Sequence, residues 1–161
     1  MNTHKILLLC WLLPMSVIPF ALFADRAPLQ APESQRPLAF HEHPPTEPLE
    51  PTLNAEGFRY NRPAFVAYAL AARVSETLYQ VPCYCHCNRE AGHKSLLDCF
   101  TSKHGAMCTI CQKETIFCYW KQGKGKTPVQ IREAMAKGEA SRLNLNRYVD
   151  RFYKEIAEAT Q

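Results

Sequence analysis

The sequence predicts an all-α fold, a small helical bundle in which a cysteine-rich loop or hairpin joins the helices. Three observations lead to this prediction: several segments repeat apolar residues at helical spacing, no segment alternates convincingly as a strand would, and the cysteines are concentrated between the helical segments. Of the eight cysteines in the 161-residue chain, seven lie within residues 81–118. A domain of about 100 ordered residues buries limited apolar area, so a metal ion or disulfides commonly add to its stability.

Residues 1–24 have the pattern of a secretory signal peptide. Lys5 closes a short polar start, residues 6–23 are apolar but interrupted by Pro14 and Pro19, and Ala24 is a small residue before a plausible cleavage point. The two prolines argue against a stable membrane-spanning helix. We therefore expect a periplasmic or secreted protein, with an uncleaved signal segment as the alternative and the only predicted link to a membrane.

The composition of residues 25–57 predicts a disordered, proline-rich linker, because so many ring constraints leave no apolar periodicity. The helical domain is then expected over residues 58–161. The formal net charge is +4 and the basic residues form no stripe, so nucleic acid is not a predicted partner.

The first helix of the domain is expected to begin at Asn61, which has the character of an N-cap, with Pro63 in the first turn. Pro82 is expected to end it where the cysteines begin. A short helical turn is expected over residues 96–100.

Three further helices are predicted towards the C-terminus. One should run over residues 106–120 and end before the glycines at 123 and 125. Thr127 to Gln130 has the pattern of a capping box and starts a helix that ends near Gly138. The last helix should start at Asn144 or Asn146 and carry a wide apolar stripe.

The early cysteines Cys83, Cys85 and Cys87 are spaced by two. In an extended segment such residues share one face, so three sulfur atoms can converge on one point, whereas a helix would scatter them. His86, between two of them, should point away from that face.

The later cysteines Cys108, Cys111 and Cys118 follow helical spacing and fall on one narrow stripe at about 100° per residue. Cys118 is as well explained as a buried hydrophobic residue. A hairpin through Cys99 could bring the early and the later cysteines together.

Thiolates bind zinc, monovalent copper and iron–sulfur clusters, and histidines can complete such sites. Among these metals, zinc or copper(I) is the expected cofactor, and metal handling or metal-dependent stability, without enzymatic activity, is the expected role. The candidate ligands share soft donor chemistry and are Cys83, Cys85, Cys87, Cys99, Cys108, Cys111, His93 and His104.

Two alternatives remain open from the residues alone. The first is a thiol–disulfide redox protein that uses Cys108 and Cys111 and needs a thiol of lowered pKa. The second is a disulfide-stapled interaction module without metal, in which the helical face around Tyr148 and Phe152 meets an unknown protein partner. Signal cleavage would leave seven cysteines. Because seven is an odd number, disulfides would leave at least one cysteine unpaired.

The motifs resemble the bacterial PCYCGC-motif family. The resemblance covers residues 65–138 and includes Pro82-Cys-Tyr-Cys-His-Cys87, Gly92-His-Lys-Ser-Leu96, Asp98-Cys-Phe100 and His104-Gly-Ala-Met-Cys-Thr-Ile-Cys111. It implies a secreted or membrane-tethered protein with a shared cysteine site, and no established activity. His86 stands where the family has glycine, and no lipobox precedes the domain, so a soluble form is expected.

Overall fold

The computed structural model describes residues 37–159, and within this range the protein is all-helical and has no strand. The predicted fold class is therefore confirmed. The predicted signal peptide lies outside the described residues, within which no helix has both the length and the apolar character to cross a membrane. The helices, in chain order, are a 3-10 helix at Ala55–Phe58, α1 Arg62–Arg73, α2 Ser75–Tyr79, α3 Cys87–Glu90, α4 Asp98–Thr101, α5 His104–Met107, α6 Thr109–Gln122, α7 Pro128–Ala136 and α8 Leu145–Ala159.

Helix α1 forms the centre of the core and packs against both α6 and α8. Its alanines allow close approach, and Tyr68 is fully buried with its ring edge against Phe100 at 5.0 Å. The Tyr68 hydroxyl donates to the Ser102 carbonyl at 2.5 Å. Burial raises the pKa of Tyr68 to about 12. This hydroxyl ties the core helix to the end of α4, and so to the cysteine-bearing segment.

The local signals at the helix starts are confirmed. The Asn61 side chain accepts a hydrogen bond from Ala64 N, as an N-cap should. Thr127 and Gln130 form a complete capping box at α7. Asn144 Oδ1 accepts from Arg147 N at the start of α8. These caps could be predicted because each depends on residues within one turn.

Two predicted helices are interrupted in the structure. The first ends at Arg73, and a break at Val74 separates it from the short α2. The helix predicted over residues 106–120 is divided at Cys108, whose φ of −114° and ψ of 105° are extended. Cys108 is therefore the residue preceding α6, not a member of it.

The apolar stripe predicted for α8 is confirmed, because Val149, Phe152 and Ile156 are buried. Phe152 packs edge-on against Tyr119 at 5.2 Å, and Tyr148 lies 6.0 Å from the Trp120 ring. The helical face around Tyr148 and Phe152 was the predicted partner surface of the interaction module. In the structure this face packs against α6.

Residues 37–54, hereafter the N-terminal segment, have no regular secondary structure and lie against the helical domain. His41 stacks on Tyr79 with ring centroids 3.7 Å apart. Leu53 N donates to the Phe100 carbonyl at 2.8 Å, and Asn88 Nδ2 donates to the Pro37 carbonyl at 3.1 Å. The proline content predicts the lack of regular structure but not these contacts, and the domain boundaries stay a prediction.

Candidate metal centre

The structure brings six cysteines and two histidines into one cluster. The members come from seven places in the chain: the loop before α3, α3 itself, the turn after it, α4, α5, the junction of α5 with α6, and α6. Four of the cysteines are buried and the other four residues are half-buried. The buried members are Cys83, Cys87, Cys99 and Cys111; the half-buried members are Cys85, Cys108, His93 and His104.

The sulfur atoms of the early and later cysteines are in direct contact. Cys83 Sγ lies 3.2 Å from Cys85 Sγ and 3.4 Å from Cys111 Sγ. Cys111 Sγ is also 3.6 Å from Cys85 Sγ, and Cys87 Sγ is 3.5 Å from Cys99 Sγ. The sequence spacing therefore predicted the meeting of the two cysteine arms correctly. All seven cysteines within residues 37–159 are free thiols.

Both predicted histidines face a sulfur atom. His104 Nε2 lies 3.5 Å from Cys85 Sγ, and His93 Nδ1 lies 3.3 Å from Cys99 Sγ. Their rings meet edge to face, with centroids 5.1 Å apart. An imidazole in this position can bind an ion itself or can donate a hydrogen bond to a thiolate that does.

Four groups of donor atoms in the described part of the chain could hold a metal ion, because the atoms within each group lie within 4.8 Å of one another. His104 belongs to two of them, whereas His93 and Cys118 belong to none. The groups are Cys85/His104/Cys108/Cys111, Cys83/Cys99/Cys111, Cys83/Cys85/Cys87 and Cys87/Cys99/His104. The arrangement is therefore compatible with a bound metal ion.

The backbone route of the early cysteines differs from the prediction. Tyr84 and Cys85 form a turn, His86 is in the left-handed region with φ 62° and ψ 25°, and Cys87 begins α3. The expected extended segment is therefore wrong, although its sulfur atoms do converge. A turn followed by a left-handed residue reverses the chain within three residues, and this reversal folds Cys87 back towards Cys83. His86 is exposed, which agrees with its expected direction away from the sulfurs.

We expect His86→Gly to stabilise the reduced, metal-free protein by about 0.5–1 kcal/mol. The left-handed conformation costs a residue with a Cβ about 1–2 kcal/mol, and part of this gain is offset by the greater entropy of glycine in the unfolded chain. Urea denaturation measures the change. His86→Ala keeps the backbone penalty and serves as the control, with an expected change within about 0.5 kcal/mol. Equal stabilisation by both variants would show that the imidazole, not the backbone, is responsible.

The later cysteines also follow a different geometry from the predicted stripe. Cys108 precedes α6 in extended conformation, so only Cys111 and Cys118 share the helix. Cys118 is fully buried and lies outside the four donor groups. Of its two predicted roles, the structure favours the buried hydrophobic residue.

In the reduced, metal-free protein, we expect Cys118 to react with iodoacetamide at least a thousandfold more slowly than Cys85 or Cys108. Burial raises the pKa of Cys118 well above its usual value, and a domain that is stable by about 5 kcal/mol or more opens only rarely. Peptide mass spectrometry after timed labelling gives the rates. Labelling of Cys118 should become fast in urea, and fast labelling in the native state would contradict its place in the core.

The contacts between sulfur atoms divide the thiols into two kinds. Hydrogen bonds with Cys108, Cys111 and Cys83 lower the pKa of Cys85, and hydrogen bonds with Cys111 and Cys83 lower the pKa of Cys99 to about 4. The contact between Cys83 Sγ and Cys111 Sγ raises the pKa of Cys83. These contacts favour the thiolate form at Cys85 and Cys99 and the protonated form at Cys83, and metal binding to such thiols releases the protons that remain.

Sequence analysis missed two buried polar residues of α6 that shape the site. Glu114 is buried, accepts a hydrogen bond from Tyr84 N at 3.0 Å, and so fixes the turn between Cys83 and Cys85. Its burial raises the pKa of Glu114 to about 8, against the opposing effect of the Cys83 thiol. The signal was present, since Glu114 lies three residues after Cys111 and four before Cys118, on the same side of a helix.

The second missed residue is Gln112. Its side-chain amide donates to the carbonyls of Gly105 and Ala106 at 3.0 and 3.1 Å. These bonds satisfy two carbonyls of the short α5 and hold it against the start of α6. The position of His104 at the first residue of α5 depends on them.

The cluster is open to the surface on one side. A shallow groove of about 580 Å³ exposes Cys85, Cys108 and His104, and its rim carries Met107 and Ile110. Met107 is 88% exposed, so its side chain is accessible from solvent at the groove. Its thioether is a further soft donor beside the half-buried thiols.

The comparisons with known proteins identify a family without a known activity. Residues 59–160 match the family described as "Protein of unknown function with PCYCGC motif". Neither a curated protein nor a solved structure matches the chain. The motif that names this family coincides with the turn from Pro82 to Cys87, where His86 takes the place of the glycine.

Proposed function

We propose that this chain, which belongs to the family of proteins of unknown function with a PCYCGC motif, is a non-enzymatic protein that binds a soft metal ion through its cysteine cluster. The observation that carries this proposal is the contact of the sulfur atoms of Cys83, Cys85 and Cys111, which come from two distant arms of the chain. Thiols dispersed as ordinary apolar residues would not be gathered in this way. Cys118 is an example of a cysteine that serves as an ordinary apolar residue, because it is fully buried and belongs to none of the donor groups.

The donor set favours zinc or copper(I). Three sulfurs and one imidazole nitrogen, as in Cys85/His104/Cys108/Cys111, are the kind and number of ligands that zinc takes in structural sites. The all-sulfur groups of three suit copper(I), which accepts fewer ligands. The open groove beside Cys85 and Cys108 supports metal handling, since an ion can be exchanged there without unfolding of the domain.

We also propose that the protein acts outside the cytoplasm, in the periplasm or as a secreted protein. The support is the pattern of residues 1–24, with its single lysine, apolar stretch and small residue at the end. In an oxidising compartment, a bound metal ion would protect closely spaced thiols from forming disulfides.

A thiol–disulfide redox role through Cys108 and Cys111 is less well supported. The hydrogen bond with Cys111 lowers the pKa of Cys108, but the contact with Cys85 and burial outweigh it, and the net shift is upward. A reactive thiol needs a shift in the opposite direction. The half-buried thiol with a lowered pKa is Cys85 instead.

The test is metal analysis of the protein after anaerobic purification. We expect zinc or copper at one or more equivalents, with the cluster thiols protected from alkylation until the metal is removed. A Cys83→Ser/Cys111→Ser double variant should lose the metal, whereas Cys118→Ser should retain it. Metal-free wild-type protein with the cluster cysteines paired as disulfides would contradict the proposal.

A further inference from the structure

The donor atoms of the cluster outnumber what one metal ion can bind. Seven residues belong to the four donor groups, and His93 adds a nitrogen 3.3 Å from Cys99 Sγ. A zinc ion in a structural site takes four ligands, and copper(I) takes fewer. One ion at the open group Cys85/His104/Cys108/Cys111 would leave the buried thiols of Cys83, Cys87 and Cys99 unused, although each touches another thiol of the cluster.

The donor groups also overlap in a way that a single site does not require. Cys111 belongs to the open group and to the buried group Cys83/Cys99/Cys111. Cys83 and Cys85 are shared in the same manner, and Cys108 is the one cysteine of the cluster that occurs in a single group. A thiolate sulfur has more than one lone pair and can therefore bridge two soft metal ions.

On these grounds, and resting on the proposed function, we infer that the cluster binds at least two copper(I) ions that share the Cys111 thiolate. Copper(I) fits better than zinc because two of the four groups consist of three sulfurs without a nitrogen, and because the Met107 thioether lies at the groove through which an ion would enter. One ion lies in the open group with Cys85 and Cys108, and the other lies in the buried group with Cys83 and Cys99.

The experiment is an anaerobic titration of the reduced, metal-free full chain with copper(I) supplied from a coloured copper(I) chelate, followed by native mass spectrometry. X-ray absorption of the loaded protein then reports whether copper has a copper neighbour. We expect two or more copper ions per chain and a copper–copper scattering contribution. Zinc titrated in parallel should give fewer ions per chain.

Three variants locate the bridge. Cys111→Ser should lower the copper count by at least one and remove the copper–copper contribution. Cys108→Ser affects one donor group and should leave the ion in the buried group in place, while Cys118→Ser should bind as the wild type does. Circular dichroism checks that each variant is folded. If Cys111→Ser does not fold, Cys83→Ser takes its place, because Cys83 is a ligand of the buried group and its loss should remove the buried ion.

The outcomes separate this inference from the proposed function. One ion per chain, of either metal, overturns the shared cluster and leaves soft-metal binding intact. Two zinc ions without copper(I) binding overturn the assignment to copper(I). No binding of either ion overturns both the inference and the function on which it rests.

Discussion

Removal of the metal ion that we propose the cluster binds is expected to lower the melting temperature of the protein by about 15–30 °C. A ligand that binds the folded state alone, at a free concentration a thousandfold above its dissociation constant, stabilises that state by about 4 kcal/mol. In a domain of about 100 residues each kcal/mol corresponds to about 4–8 °C. The cluster joins segments around Cys87 and Cys99 that form only short helices of four residues, α3 and α4, so an ion bound there adds links between parts of the chain that have little regular structure of their own.

The measurement is calorimetry of the protein as purified and after chelation under reducing, anaerobic conditions. Cys118 lies outside the donor groups. The Cys118→Ala variant should therefore melt at a lower temperature than the wild type, but removal of the metal should lower its melting temperature by the same amount. Identical melting temperatures with and without metal would mean that the ion is not coupled to folding.

Gly105→Ala is expected to cost about 2 kcal/mol and to weaken metal binding about tenfold. A Cβ at this position would lie 2.7 Å from Phe100 Cε1 and 3.0 Å from the Cys99 carbonyl oxygen. Phe100 is fully buried and the carbonyl belongs to the backbone, so neither can move aside cheaply. The shift would displace both Cys99 and the neighbouring His104, and displaced ligand geometry commonly costs a factor of ten or more in affinity.

Gly57→Ala is the matched control for this variant. A Cβ on Gly57 would meet nothing within 4 Å, so the substitution should leave both the free energy of unfolding and the metal affinity unchanged or slightly improved. Urea denaturation and a competitive metal titration give the two quantities. Equal behaviour of the two alanine variants would show that the close approach of α5 to α4 is not required.

Signals confined to one helical turn were sufficient to predict the starts of the three helices α1, α7 and α8. Asn61, Thr127 with Gln130, and Asn144 act as caps in the structure as their residue types indicate. The breaks at Val74 and Cys108 could not be predicted in this way. Neither residue is a proline or glycine, so the local sequence favours a continuous helix and tertiary packing decides against it.

The convergence of the cysteine sulfurs could be predicted from the sequence, but the backbone conformation that brings them together could not. Spacing by two at Cys83, Cys85 and Cys87 is compatible with an extended segment, yet the chain turns and passes through a left-handed residue at His86. Short turns of this kind are usually marked by glycine, which His86 replaces here, so the signal for the turn was missing from this sequence. Glu114 was overlooked for a related reason, since a glutamate on a helix is usually exposed to solvent.

The N-terminal segment has a practical bearing on how the domain should be isolated. It touches the chain on both sides of the cluster, through Asn88 next to Cys87 and through the Phe100 carbonyl next to Cys99. A fragment trimmed to the boundary of the family match, at residue 59, would lose both anchors and leave the ring of Tyr79 uncovered. Copper or zinc stoichiometries obtained on such a fragment would describe a loosened pocket, and a fragment that begins no later than Pro37 avoids this error.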